Sequence, residues 1–384
     1  MTDAHPTDLQ QAPAGDGPEF PTDGGGSVDD AAHAAGNGTL DRPGEVQESA
    51  EVEQPAEVEQ PAEVEQRVEH GWQVLRISTD RVVLDLIPGL GGTITSLRRA
   101  DHDAELLWRT PWGLRPLTPT MPGNAEATML DHFPGGWQTL FPNGGDTAHA
   151  HGVEWGYNGE ARLAPFDWQL EDGSVIMSTR LVRSPFRITK TVTVRGGTVT
   201  VEETVTNEGA ESVEVMWGHQ VVLGPPLLAP ETVIESGATI VHPDPTVTSG
   251  ANYNDVMPWP RSIGENAMIN LRRPMGPNAD EARMAYLTDF SEPRITVRNP
   301  ALDLGLELTW DAESWPYAWY SQESGSRRGF PWFGSGYFLA LTPASSWPAH
   351  GIHDARRISK ATVWVEPDEA RSSRLDVTVL PPGR

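Results

Sequence analysis

The sequence predicts an all-β domain, a large sandwich of packed antiparallel sheets, carried behind an acidic N-terminal tail. Three observations lead there. Short β-branched runs recur between Gly and Pro turn signals from Trp72 onward. No stretch keeps apolar residues at a helical period over three or more turns. The first 66 residues carry 16 acidic side chains against one basic residue, Arg42. Strands this dense, with no helices long enough to serve as crossovers, point to antiparallel rather than parallel pairing.

The tail comes first in the chain. Residues 1–66 hold a single aromatic, Phe20, and cannot bury enough apolar surface to fold. Its last stretch, Glu51 to Gln66, repeats the hexad EVEQPA, in which recurring Pro and Glu favour an extended, self-repelling spacer. The expected division is therefore a disordered acidic tail over 1–66 and one β domain over 67–384. The tail accounts for −15 of the net charge of −26, leaving −11 on the domain. Such a surface repels phosphate backbones and anionic lipid, so neither nucleic acid nor membrane is expected as a partner.

Cysteine is absent, which removes disulfides, thiolate nucleophiles and cysteine metal sites. The opening MTDAHPTDLQ lacks the basic flank and apolar run of a secretion signal, and no apolar stretch approaches the ~20 residues of a spanning helix. A cytoplasmic location is the expectation.

Strands are expected at Val82 to Ile87, Val175 to Val182, Phe186 to Val194, Thr198 to Thr206 and Val213 to Trp217. The texture returns at Ile295 to Arg298, Leu302 to Trp310, Tyr337 to Leu341, Ala361 to Val365 and Leu375 to Leu380. Between Trp108 and Trp168, and again between Leu223 and Pro293, the pattern dissolves into Pro, Gly, Asn and aromatics, which reads as long ordered loops of the kind that carry function. All 14 Trp follow residue 66. Several sit in Gly- or Pro-rich contexts, among them Trp112, Trp137, Trp155, Trp259, Trp332 and Trp347. A loop indole offers a flat apolar face to the C–H face of a pyranose, although core packing accounts for most Trp in any domain.

Three regions, in order, carry a resemblance. The first pairs Gly135 to Gly145, GGWQTLFPNGG, with Asn158 to Trp168, NGEARLAPFDW. The second is Val215 to Gly224, VMWGHQVVLG. The third is Gly334 to Pro348, GSGYFLALTPASSWP. Together they resemble the aldose 1-epimerase, or galactose mutarotase-like, family, in particular its less characterised bacterial branch, across essentially all of 70–384. The resemblance implies a galactose mutarotase-like β-supersandwich with a sugar pocket on one concave sheet face. It also implies interconversion of the α and β anomers of an unphosphorylated hexose, with no cofactor, through a carboxylate base and a histidine acid.

Carried over residue by residue, the resemblance places the family's acid at Gln220, its base at Thr342 and a sugar-binding histidine at Asn158. All three can hydrogen-bond sugar hydroxyls, and none titrates near neutral pH. Trp137, Asn158, Gln220 and Thr342 are thus the expected sugar-binding residues. The catalytic residues are left open, with His219, Glu160 and His151 as replacement candidates. His219 adjoins Gln220, but neighbours on a strand face opposite sides, which favours a satisfied histidine on the far face. Glu160 is as well suited to fixing its loop as to touching sugar. Glu323 lies just ahead of the third region.

His149 and His151 lack a third ligand, so no metal is expected. Arg115, Arg162 and Arg187 are the cations that would argue for an anionic ligand. Two functions lead, a working anomer epimerase and a sugar-binding relative that has lost the chemistry, with a different lyase or isomerase reaction on the same scaffold behind them.

Overall fold

The computed structural model describes residues 62–117 and 124–382. The expected tail and its hexads lie outside these residues except at their end, where the expected boundary needs correction. Glu63 to Gln66 belong to the strand Glu63–Glu69, paired antiparallel with Trp72–Ser78 from Glu63 opposite Ser78 to Glu69 opposite Trp72. The strand is mostly exposed, with Val64 partly buried and Val68 facing solvent, which suits an edge strand.

Among the described residues, 18 strands join in one continuous hydrogen-bonded network. Two layers can be traced in it. The first runs through Glu63–Glu69, Trp72–Ser78, Val82–Ile87, Thr93–Arg99, Trp137–Leu140, Gly218–Leu223, Tyr337–Ala344 and Tyr317–Ser324. The second runs through Asp167–Glu171, Ser174–Arg180, Phe186–Arg195, Thr198–Asn207, Ala370–Val379 and Leu304–Trp310. Two long strands, Val233–Pro243 and Glu281–Asn299, cross from one layer to the other.

Val233–Pro243 and the first part of Glu281–Asn299 lie where sequence reading expected loops, so that expectation is corrected; the end of the second strand, Ile295 to Arg298, was expected as a strand. A strand that changes layers exchanges its buried and exposed faces, which breaks the period-2 pattern. The break is visible as a register shift between Ser236 and Ala238, at Gly237, where a Cβ would meet the Glu292 carbonyl oxygen at 2.1 Å. The all-β expectation otherwise holds. The described helices longer than one 3-10 turn are Ala125–Asp131 and Ile352–Ile358, and no described helix is long and apolar enough to cross a membrane.

Between the layers lies a continuous apolar core that includes Leu84, Leu97, Val192, Val201, Val221, Leu341, Leu375 and Val377. The first layer's opposite face is covered by long loops. The helix Ala125–Asp131 is capped by Asn124, whose side chain accepts from the Ala127 amide. The turn after it brings Phe133 over that outer face, beside Trp108 and Trp332.

Candidate functional site

Strand register decides which side chains share the outer face. Gln138 stands opposite Gln220. The pairing of Val221 with Leu341 sets Thr342 level with Gln220, and Trp319 stands opposite Thr342. Tyr286 then stands opposite Trp319, and His242 opposite Tyr286. Directly opposed residues point the same way, so these six side chains form one row across the outer face. Trp137, Thr139, His219 and Val221 point the other way, into the core.

The core side accounts for His219. Its ring is buried, with Nδ1 accepting from Trp137 Nε1 at 2.9 Å and Nε2 3.5 Å from Glu203 Oε1. A donor on Nδ1 fixes the neutral tautomer with its proton on Nε2. Burial pushes the His219 pKa down against the opposing pull of Glu203. Glu203 sits 3.2 Å from Lys190 Nζ and accepts from Thr139 and Trp217, each at 2.7 Å. Burial pushes its carboxyl up, but Lys190 and His219 overcome that and hold it well below the usual carboxylate range. Lys190 and Glu203 come from the second layer and the rest from the first, so the cluster ties the two layers together. Both ring nitrogens of His219 are engaged behind the sheet, and Gln220 faces away from it.

The outer face is centred on Arg162, in the single 3-10 turn Ala161–Leu163. That turn is seated by two backbone bonds, Ala161 N–H to the Phe141 carbonyl at 3.1 Å and Gly91 N–H to the Ala164 carbonyl at 2.9 Å. It packs so closely on Gly91 that a Cβ there would lie 2.4 Å from the Arg162 carbonyl oxygen. From it the guanidinium reaches the middle of the row. Nη2 donates to Oε1 of Gln138, and to Oε1 of Gln220 at 3.5 Å. Gln138 in turn donates to Thr93 Oγ1 at 3.1 Å, which fixes the amide's orientation. The Phe133 ring lies 5.2 Å from the guanidinium carbon. Burial pushes the Arg162 pKa down to about 10, and Nε and Nη1 have no hydrogen-bond partner among the described residues.

Beside this polar centre stands an aromatic wall. Trp108 meets Trp332 edge-on at 5.2 Å and Phe338 at 4.6 Å, and Trp112 stacks on Trp332 at 5.5 Å.

Trp137, expected to bind sugar, is turned into the core by strand parity and is corrected on that ground. Asn158 is buried and clamps two loops: its Oδ1 accepts from the Gly145 backbone N–H and its backbone N–H donates to the Gly145 carbonyl, both at 2.8 Å. Glu160 fixes the 182–184 loop, accepting from the amides of Val182 and Arg183 and from the Ser184 hydroxyl at 2.8 Å. His151 occupies the turn between Ala148–Ala150 and Val153–Trp155, its ring 5.5 Å from Trp155. The structure brings none of His219, Glu160 and His151 to Gln220 and Thr342. Gln220 and Thr342 do share the face.

Sequence reading missed Gln138, Trp108 and the central place of Arg162. Gln138 was findable only through the register that sets it opposite Gln220. Glu323, on the same face, spends its carboxylate on the Ser326 and Arg327 amides, at 2.6 and 3.0 Å. His242 stands three strands from Thr342, about 14 Å at the usual strand spacing, stacked on Trp347 at 4.5 Å. Among the described residues no group of three or more His, Asp or Glu is placed to hold a metal.

The site thus offers two amides, a hydroxyl and a cation beside flat apolar rings. These groups can donate and accept hydrogen bonds, and among the described residues no carboxylate and imidazole stand together at Gln138, Gln220 and Thr342 to exchange protons. A family model described as a domain of unknown function, DUF4432, matches residues 69–379. Among solved structures, the chain is similar to the Slr1438 protein from Synechocystis sp. PCC 6803, at 17% identity and TM-score 0.56 over 84% of this chain and 96% of that one. It is similar to a galactose mutarotase-like protein from Lactobacillus casei ATCC 334, at 16% identity and TM-score 0.55 over 80% and 100% of the two chains. It is also similar to a galactose mutarotase related enzyme from Lactobacillus acidophilus, at 13% identity and TM-score 0.57 over 80% and 98%. Identities this low establish the galactose mutarotase-like fold and leave the chemistry to the site itself. No curated protein matches the chain by sequence.

Proposed function

We propose, on the premise that the chain belongs to the DUF4432 family and carries the galactose mutarotase-like fold, that it is a carbohydrate-binding protein without the acid–base step that its resemblance to aldose 1-epimerases implies. The row Gln138–Gln220–Thr342, set beside Trp108 and Trp332, carries this reading. A sugar needs hydroxyl-bonding groups of both senses and an apolar face to lie against; the row holds groups of the first kind and the aromatic cluster beside it, buried in this structure, holds the second.

Opening and closing a sugar ring needs two positioned groups that trade protons near neutral pH. The positions the family uses hold an amide and a hydroxyl, and the three replacement candidates are engaged elsewhere, which supports binding over turnover. The region 118–123, TPTMPG, contributes no titratable side chain either.

Ligand-observed NMR on the full chain with a panel of monosaccharides tests the reading. Saturable binding that weakens severalfold in Gln220→Ala is expected, the worth of one or two hydrogen bonds. Absence of binding across the panel overturns it.

A further inference from the structure

We propose that the ligand is an acidic sugar whose carboxylate pairs with Arg162; this rests on the carbohydrate-binding reading above. Three cationic side chains are buried this deeply among the described residues: Arg99, Arg162 and Lys190. Two have acidic partners of their own, Arg99 with Asp101 at 2.7 Å and Lys190 with Glu203 at 3.2 Å. Arg162 has none. Its partners are two neutral amide oxygens on one nitrogen, while the N–H of Nε and the two of Nη1 meet no acceptor.

Arginine is almost never fully buried unless paired, because an uncompensated charge out of water costs several kcal/mol. A protein that pairs its other deep cations has left this one open, in the middle of the face that carries the row.

The chemistry narrows the partner. One guanidinium balances one negative charge, and its planar N–H groups match a carboxylate. A phosphate dianion would bring a second charge to a site whose other neighbours are neutral. A further arginine, Arg327, already faces Glu323 at 3.6 Å. A hydroxyl of a neutral sugar would satisfy an N–H and leave the charge unbalanced. Phe133 covers the guanidinium at 5.2 Å, so the carboxylate reaches it by displacing the turn that follows the Ala125–Asp131 helix.

Isothermal titration of the full chain with glucose, glucuronate, galactose, galacturonate and glucose 6-phosphate tests this. At least one uronate is expected to bind ten-fold or more tighter than its neutral parent and tighter than glucose 6-phosphate. Arg162→Met, close in shape and uncharged, is expected to remove the uronate preference while keeping weak binding of the neutral sugar. Arg162→Lys is expected to retain part of the preference.

A neutral sugar binding as tightly as its uronate overturns the inference and leaves the carbohydrate reading standing. So does a preference that survives in folded Arg162→Met. Tighter binding of glucose 6-phosphate overturns the carboxylate assignment. Failure of every sugar overturns both readings. The wild-type comparison decides even if Arg162→Met does not fold.

Discussion

Replacing Glu203 by Gln tests whether the buried cluster behind the candidate site is structural. The Glu203 side chain is fully buried and holds Lys190, Thr139, Trp217 and His219 within 3.5 Å. Glu203→Gln keeps the shape and deletes the charge that balances Lys190, which is 2% exposed. Breaking a buried pair in this way costs ~3–5 kcal/mol, a large share of the ~5–15 kcal/mol typical of a domain.

Lys190→Met alone strands the carboxylate and is expected to cost a similar amount. The double variant removes both charges, so its cost should fall below the sum of the two by ~1–3 kcal/mol. Urea unfolding followed by Trp fluorescence reads these differences. Acid adds a signature. Glu203 has its folded pKa depressed, so its contribution is present above the unfolded value of ~4.3 and is lost as pH falls below it. His219 is also depressed, so below ~6.5 the unfolded chain takes up a proton that the folded one refuses. His219 makes wild-type stability fall below about pH 6.5 and Glu203 adds to the fall below about pH 4.3, so Glu203→Gln should flatten the part of the decline below about pH 4.3. A loss below ~1 kcal/mol for Glu203→Gln, or strict additivity in the double variant, would refute the argument.

Three further outcomes are expected. Gly91→Ala places a Cβ 2.4 Å from the Arg162 carbonyl oxygen at a residue with φ +65°; it should cost ~2–4 kcal/mol in urea unfolding and weaken sugar binding by displacing the 161–163 turn. His350 bridges Asp146 at 3.1 Å and Asp244 at 2.8 Å. Burial opposes its charge, but the two carboxylates overcome this and raise its pKa to about 10. Its contribution is therefore full below the unfolded value of ~6.5 and lost as pH rises toward 10, ~1–2 kcal/mol after allowing for the exposure of Asp146. In His350→Gln a thermal melt series over pH 7 to 10 should show that alkaline decline flattened. Restoring the family's pair with Gln220→His and Thr342→Glu should raise the rate of glucose anomer exchange at least ten-fold over wild type; no gain would count against the alignment of the motifs.

The fold was legible because its signals are local. Strands such as Phe186–Arg195 and Thr198–Asn207 alternate cleanly over ten residues each and pair in a simple hairpin. The long strand Val233–Pro243 and the first part of Glu281–Asn299 were not legible, since their buried face changes partway along, whereas the end of the second, Ile295 to Arg298, was. Within the site, alternation correctly separated His219 from Gln220, and the motifs brought Gln220 and Thr342 to one face. Trp137 was misplaced because a motif position does not say which face an indole takes. Arg162 stood in the sequence as one of three cations that would argue for an anionic ligand. Its lack of an acidic partner is a property of three-dimensional packing, and no spacing rule announces it.

The most direct test of the central claim is NMR exchange spectroscopy between the α and β anomers of glucose, galactose and their uronates, with the full chain in buffer that keeps spontaneous mutarotation slow. The account predicts no acceleration of exchange, together with line broadening of at least one sugar that saturates. Acceleration that saturates with sugar would contradict it, and would mean that a proton-transfer pair operates where Gln220 and Thr342 stand.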